Sequence, residues 1–395
     1  MKKLYSIAAL IILITSVIYF KGAAGSNHEL IMKELVPQAI GFEQISGTLY
    51  RAVGIRDEAK EEVLGYIKSD QAYGYSGPID VVVFIDKDGV VKNLSVLNNT
   101  ETPSFFSRVM AADYLEYFKG KEANSCFAIG QDIDGISGAT FTAKGIAEAV
   151  KKSAYTVASG QLSMPLPDQP KMDIPIASWY VLGLMLIVFV FYKLKLTRFR
   201  SLTLLAGLII IGFWQKSPVS LGNIAALLAG NAPSLDGIPI WFLLIIGSLV
   251  MILLSGKNLY CYWICPMGAI AEFSGKLGAA GKITYRPCAK RAKRFRGLRL
   301  FFAWGALVMS FFLVNPSAAS YEIFAPLFAH VGNSAQWVLL PFMLFIGVVL
   351  NRFWCSYFCP VGAIWDFLAR LRRDCKKWIE MQMGKNITKT TSSIR

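Results

Sequence analysis

Apolar positions fall into blocks, and the blocks divide the chain into segments of two kinds. Residues 4–20 form an apolar run behind Lys2 and Lys3, the pattern of a signal peptide or a retained anchor. The following Lys21-Gly22-Ala23-Ala24-Gly25 is a weak cleavage site, so residues 1–24 read as an uncleaved transmembrane anchor. Residues 25–162 change to soluble composition. Within them, residues 79–85 are β-branched and strand-like, Lys87-Asp88-Gly89 is a hairpin turn, and residues 90–97 return. Residues 107–118 and 142–159 read as helices. The second places Ile146, Val150, Ala154 and Val157 on one face, with Thr142 as a candidate cap. Pro165, Pro167, Pro170 and Pro175 make 163–175 a stiff, extended linker. Five more apolar runs follow, near 176–192, 202–214, 238–254, 298–314 and 337–354. A spanning helix needs roughly 20 apolar residues, so the second run is short. The expected architecture is an α+β soluble domain joined to an all-α polytopic membrane domain over 176–378, with about six transmembrane helices and a cytoplasmic tail over 379–395.

Composition supports this division. The 395 residues are 54% apolar with a mean hydropathy of +0.45, which describes an integral membrane protein carrying one soluble domain. The net charge of +15 is concentrated in particular loops. The stretch 257–299 has ten Lys or Arg and one acid, and nine basic residues follow Asn351, whereas 317–336 has none. By the positive-inside rule both termini are cytoplasmic and the soluble domain is exocytoplasmic. The charge is thereby accounted for without nucleic acid. Two histidines, His28 and His330, exclude a bundle of haems held by paired His ligands.

The soluble segment contains Asp134-Gly135-Ile136-Ser137-Gly138-Ala139-Thr140, where small residues set a hydroxyl in a sterically open turn. On the residues alone this is either a modification site or a Gly-rich turn capping the next helix. The adjacent helix N-terminus offers N–H groups and a dipole that favour phosphate. Asp-x-x-Ser-Gly-Ala-Thr resembles the signature of FMN-binding domains in sodium-pumping quinone reductases and Rnf complexes. There a flavin transferase joins FMN to the last Thr through a phosphoester. The upstream order of Tyr-x-Gly, strand, turn, strand and Glu101-Thr102-Pro103 resembles the same domain, although Ser104-Phe105-Phe106 stands where the family has Gly-Leu-Gly. The resemblance implies FMN on Thr140, with Asp134, Ser137, Gly138, Ala139, Glu101 and Thr102 around it. Cys126, alone in this domain, reads as an ordinary buried thiol.

Cys261-Tyr-Trp-Ile-Cys265-Pro266-Met-Gly268-Ala269-Ile270 recurs 94 residues later as Cys355-Ser-Tyr-Phe-Cys359-Pro360-Val-Gly362-Ala363-Ile364, an internal duplication. Helical Cys-x-x-x-Cys puts both thiols on one face, and Pro breaks or starts a helix. Gly268 and Gly362 leave room for something to approach the backbone. The expected cytoplasmic position is reducing and disfavours disulfides. Buried thiols, zinc and iron–sulfur all fit the residues, since soft thiolates suit both metals. The repeat resembles the membrane iron–sulfur modules of the NosR/NirI and NapH type, in a short form similar to the flavoproteins that accompany reductive dehalogenases. That resemblance implies [4Fe-4S] chemistry. Either the four cysteines share one cluster, or Cys288 and Cys375 each complete a three-Cys set.

A flavin outside and thiolates inside suggest electron transfer from a cytoplasmic donor or quinol to an exported reductase, without substrate turnover on this chain. The alternatives are a redox-sensing or maturation factor and a zinc-bound transporter. A bilayer core of about 30 Å would separate the two sites. A bound quinone, more deeply set clusters or a second protein in the membrane would close that gap.

Overall fold

The computed structural model describes residues 2–23, 28–57, 60–75, 77–167, 175–230, 239–285, 289–330, 332 and 334–392. Helices α1 (Lys2–Ala23) and α2 (His28–Leu35) precede an antiparallel meander. Its strands β1 (Gly41–Ser46), β2 (Leu49–Asp57), β3 (Lys60–Tyr73), β4 (Pro78–Asp86) and β5 (Val91–Asn99) pair in sequence order. The β4–β5 turn forms because Gly89 takes φ +81°, while Asp86 Oδ1 accepts from the N–H groups of Asp88 and Val90. Helix α3 (Pro103–Met110), a 3₁₀ turn at Tyr114–Phe118 and α4 (Thr140–Gly160) complete the domain.

The nearly unbroken apolar run of β4 is explained by burial on both faces. Ile79, Val81, Val83 and Ile85 meet α4, and Val82 and Phe84 meet α2. The stripe Ile146, Val150, Ala154 and Val157 is fully buried against the sheet. Each such Val or Ile contributes about 1.5–3 kcal/mol. The start of α4 can approach the β3–β4 turn because a Cβ at Gly145 would lie only 2.9 Å from the Gly74 backbone.

Beyond the linker lie α5 (Ile176–Lys193), α6 (Arg200–Gly207) continuing as π-helix Leu208–Trp214, α7 (Leu221–Ala229), α8 (Pro239–Ser255), a π turn at Tyr260–Ile264 and α9 (Pro266–Ala280). Helices α10 (Ala289–Phe312), α11 (Ser334–Val349), α12 (Phe353–Tyr357) and α13 (Pro360–Ser392) follow, with a π turn at Ala325–Ala329 before α11. Among the described residues two stretches, Ile176–Lys193 and Thr197–Trp214, are long and apolar enough to cross a membrane. Ala8–Phe20, Ile240–Ser255, Gly297–Phe312 and Ser334–Val349 are apolar but shorter. At 16 residues α11 is about 24 Å long against a hydrocarbon core of about 30 Å. The fold is thus a sheet-containing domain followed by a helical region, with two candidate spans and four shorter apolar helices among the described residues.

Several sequence expectations shift. The helix expected over 107–118 begins at Pro103 and ends near Asp113, whose left-handed φ of 48° separates it from the 3₁₀ turn. Thr142 is no cap: α4 starts at Thr140, and the buried Thr142 hydroxyl donates to Glu101. Cys126 is exposed. Most of the linker, 168–174, lies outside the described residues, as does Cys288. Helix α13 continues without a break through 378–379 into the expected tail. Helix α1 packs into the bundle, Phe20 edge-on to Phe311 at 6.0 Å and Trp304 Nε1 donating to Ala9 O at 3.2 Å.

Candidate functional site

Thr140 begins α4 with its side chain exposed, beside a cavity of about 280 Å³. Ser137, Gly138, Ala139 and Thr140 line one side. Tyr75, Phe105 and Phe141 supply aromatic surface, and Trp214, Gln215, Lys216 and Ala329 close the cavity from the helical region. Gly138 takes φ +81°, and a Cβ there would sit 3.1 Å from Arg108 Nη1 and 3.5 Å from Ala329 O. The attachment turn therefore meets a guanidinium and the helical region at once. Open hydroxyl, helix N-terminus, nearby cations and aromatic walls fit a phosphate-bearing flavin. Asp134, Glu101 and Thr102 do not line the cavity. Glu101 is instead a buried staple, its oxygens accepting from Gly77 N–H at 3.2 Å and from the Thr142 hydroxyl.

Cys261, Cys265, Cys355 and Cys359 all line a second cavity of about 280 Å³. The Pro after each motif starts a helix, α9 or α13, where its missing N–H costs nothing. The room at Gly268 is filled by the motif itself, since a Cβ there would lie 2.8 Å from Cys261 O. At Gly362 it would lie 3.6 Å from Cys359 Sγ, and the Gly362 N–H donates to that sulfur. Cys375 is exposed on α13, outside this cavity. Among the described residues no three His, Cys, Asp or Glu side chains converge tightly enough for a single metal ion. Four thiols spread around one cavity fit a polynuclear cluster, which takes one thiolate per iron.

The two motifs are brought together because each copy crosses onto the other. Helix α9 packs on α11, and α13 packs on α8. Seven residues after the second Cys, each copy carries an acid, Glu272 or Asp366. Each acid meets the residue three positions before the first Cys of the opposite copy. Arg352 Nη2 donates to Glu272 Oε2 at 2.6 Å, and Asn258 Nδ2 donates to Asp366 Oδ1 at 3.0 Å. A further partner binds each acid: Arg200 on Glu272 and Arg299 on Asp366. Arg299 also donates to Cys355 O at 2.8 Å. These cross-copy clasps were readable in the 94-residue offset, which maps Asn258 onto Arg352 and Glu272 onto Asp366.

Cys265 and Cys359 are buried within the helical region. A Cβ at Gly207 would overlap Ile264 O at 1.9 Å, and one at Gly212 would lie 3.1 Å from Pro266 and 2.9 Å from Phe328. Pro266 follows Cys265, Phe328 precedes Ala329 of the first cavity, and Trp214 lies two residues beyond Gly212. Two residues advance a helix by about 3 Å. One packed junction is thus flanked by residues that line both cavities, Cys265 on one side and Trp214 and Ala329 on the other. The π segments Leu208–Trp214 and Ala325–Ala329 meet there, and such segments recur at functional sites. Glu322 lies between the cavities in the segment joining α10 and α11. It is 3% exposed, with Oε1 accepting from Leu221 N–H and Oε2 without a hydrogen-bond partner. Burial raises its carboxyl to about 7.

Comparison with known proteins matches residues 74–154 to the FMN-binding domain and residues 238–283 and 336–378 to the 4Fe-4S binding domain. The chain combines these two kinds of domain, consistent with a NosR-like flavo-iron-sulfur protein. It is similar to the ferredoxin-type protein NapH of Haemophilus influenzae, 29% identical over 32% of this chain and 44% of that protein. It is also similar to one component of the proton-translocating ferredoxin:NAD(+) oxidoreductase complex of Clostridium ljungdahlii, 24% identical over 37% of this chain and 83% of that component. The regulatory protein NosR of Stutzerimonas stutzeri is 26% identical over 35% of this chain and 21% of its own length. On its iron–sulfur side the chain spans less than half the length of NapH.

Proposed function

We propose that this chain is a membrane electron-transfer flavoprotein. Cys261, Cys265, Cys355 and Cys359 hold one [4Fe-4S] cluster, and Thr140 bears FMN through a phosphoester installed by a flavin transferase. When bound, these groups exchange electrons one at a time; the chain fixes their positions and excludes water between them. Electrons enter from a cytoplasmic donor or quinol and leave to an exported reductase. The observation that carries this reading is the junction of Gly212, Pro266 and Phe328, where Pro266 follows Cys265 of one cavity and Phe328 precedes Ala329 of the other. The orientation is supported by the wall residues Trp214, Lys216 and Ala329. They belong to the segments opposite the basic loops, which the positive-inside rule assigns to the exterior.

The test is in-gel fluorescence after denaturation, on protein from a host with an active exported flavin transferase. Wild type retains flavin fluorescence and Thr140→Ala loses it, while both keep iron. A dark wild-type band would refute the attachment.

A further inference from the structure

A cavity of about 790 Å³ in the helical region adjoins the cysteine cavity without including the cysteines. It lies at the ends of α5 and α8 and is walled by α13. Its lining includes Tyr192, Leu259 and Trp263 together with Lys257, Arg370 and Arg373. Arg200 and Arg299, which also line it, are committed to Glu272 and Asp366. Lys257, Arg370 and Arg373 have no acidic partner among the described residues. Lys257 sits 5.3 Å from the Tyr192 ring centroid, Arg370 Nε donates to Asp366 O at 3.2 Å, and Arg373 donates to Gly256 O. Each retains further N–H donors. Three exposed cations around one concavity favour an anion there, and the aromatic wall at the end of an apolar helix is the pattern of a membrane–water boundary.

We propose that this cavity binds the phosphate headgroup of an anionic phospholipid, with its acyl chains running along α5 and α8. The proposal rests on reading those helices as membrane-embedded. Basic pockets between membrane helices on the cytoplasmic side take anionic headgroups for these reasons. A concave volume of this size suits a small ligand better than the flat face of a protein. The cavity shares Asn258, Tyr262, Arg299 and Asp366 with the cysteine cavity, so the headgroup stands one side-chain layer from the thiols. It would complete the cytoplasmic wall of that site.

The full-length protein, purified in detergent with its cofactors, is titrated with phosphatidylglycerol, phosphatidylcholine or inorganic phosphate and followed by native mass spectrometry and thermal melting. Phosphatidylglycerol is expected to give a retained adduct and a higher melting temperature, and phosphatidylcholine neither. Lys257→Gln with Arg370→Gln is expected to weaken binding about thirty-fold, from about fivefold per basic residue. Lys376→Gln, on the same helix outside the cavity, is expected to leave it unchanged. Equal binding of both lipids, or an unaltered double variant, would overturn the inference. Saturation by inorganic phosphate at equal affinity would identify a free anion and overturn the lipid. Iron and flavin are quantified in every sample: their retention without lipid preference would overturn this inference alone, whereas their absence from wild type would count against the electron-transfer reading.

Discussion

Replacing Glu272 by Gln keeps the shape of the side chain and removes the charge on which one cross-copy clasp depends. The Glu272 side chain is 11% exposed and faces Arg200, Arg352 and, at 3.5 Å, Lys276. Removing the acid leaves two partly buried guanidiniums facing each other without compensation. Breaking a buried pair in this way costs about 3–5 kcal/mol. Lys276 is 55% exposed and sheds its charge into water, so it adds little. Asp366→Asn is the internal control: Asp366 is 27% exposed, one of its partners is the neutral Asn258, and Arg299 keeps Cys355 O. Its cost is expected to be about half as large. Each variant is melted and assayed for iron and flavin. Glu272→Gln should melt lowest and lose iron but keep flavin, because the clasp aligns the two halves of the cysteine cavity and touches nothing near Thr140. Adding Arg352→Gln should restore part of the loss, since it removes the uncompensated charge. A Glu272→Gln protein that melts like wild type with full iron, or a double variant worse than the sum of its parts, would refute the reasoning.

Cys359→Ser is expected to abolish the iron–sulfur absorbance while preserving flavin, and Cys375→Ser to leave iron unchanged; iron loss in the second would move Cys375 into the ligand set. Glu101→Ala leaves the buried Thr142 hydroxyl and Gly77 N–H unpaired, and should destabilise the flavin domain by about 2–3 kcal/mol in chemical denaturation. A loss below about 1 kcal/mol would show that water replaces the carboxylate. The Glu322 carboxyl, raised by burial from about 4.5 to about 7, favours the folded state when protonated. Its contribution is complete below pH 4.5, declines as pH rises through about 7, and amounts to about 3 kcal/mol. Melting temperatures from pH 5 to 8 should fall in wild type more than in Glu322→Gln; parallel curves would remove Glu322 as the cause.

What the sequence determined by itself was local and periodic. The β4–β5 hairpin follows from a β-branched run, an Asp-Gly turn and a second run, and the buried face of α4 follows from the spacing of Ile146, Val150, Ala154 and Val157. The duplicated cysteine motif was equally legible, because spacing and repetition survive in one dimension. The first three strands were not, since β1 to β3 mix charged and apolar residues without strict alternation and owe their pairing to the meander. Only the tertiary structure decided that each copy's Pro-started helix packs on the other copy, that Cys375 stands apart, and that Arg108, Trp214 and Lys216 attend Thr140. It also decided how the first cysteine segment packs, since Gly207 and Gly212 let Ile264 and Pro266 approach the neighbouring helix closely. Backbone approach of this kind depends on which glycines face which carbonyls, and that is settled by packing between segments far apart in the chain.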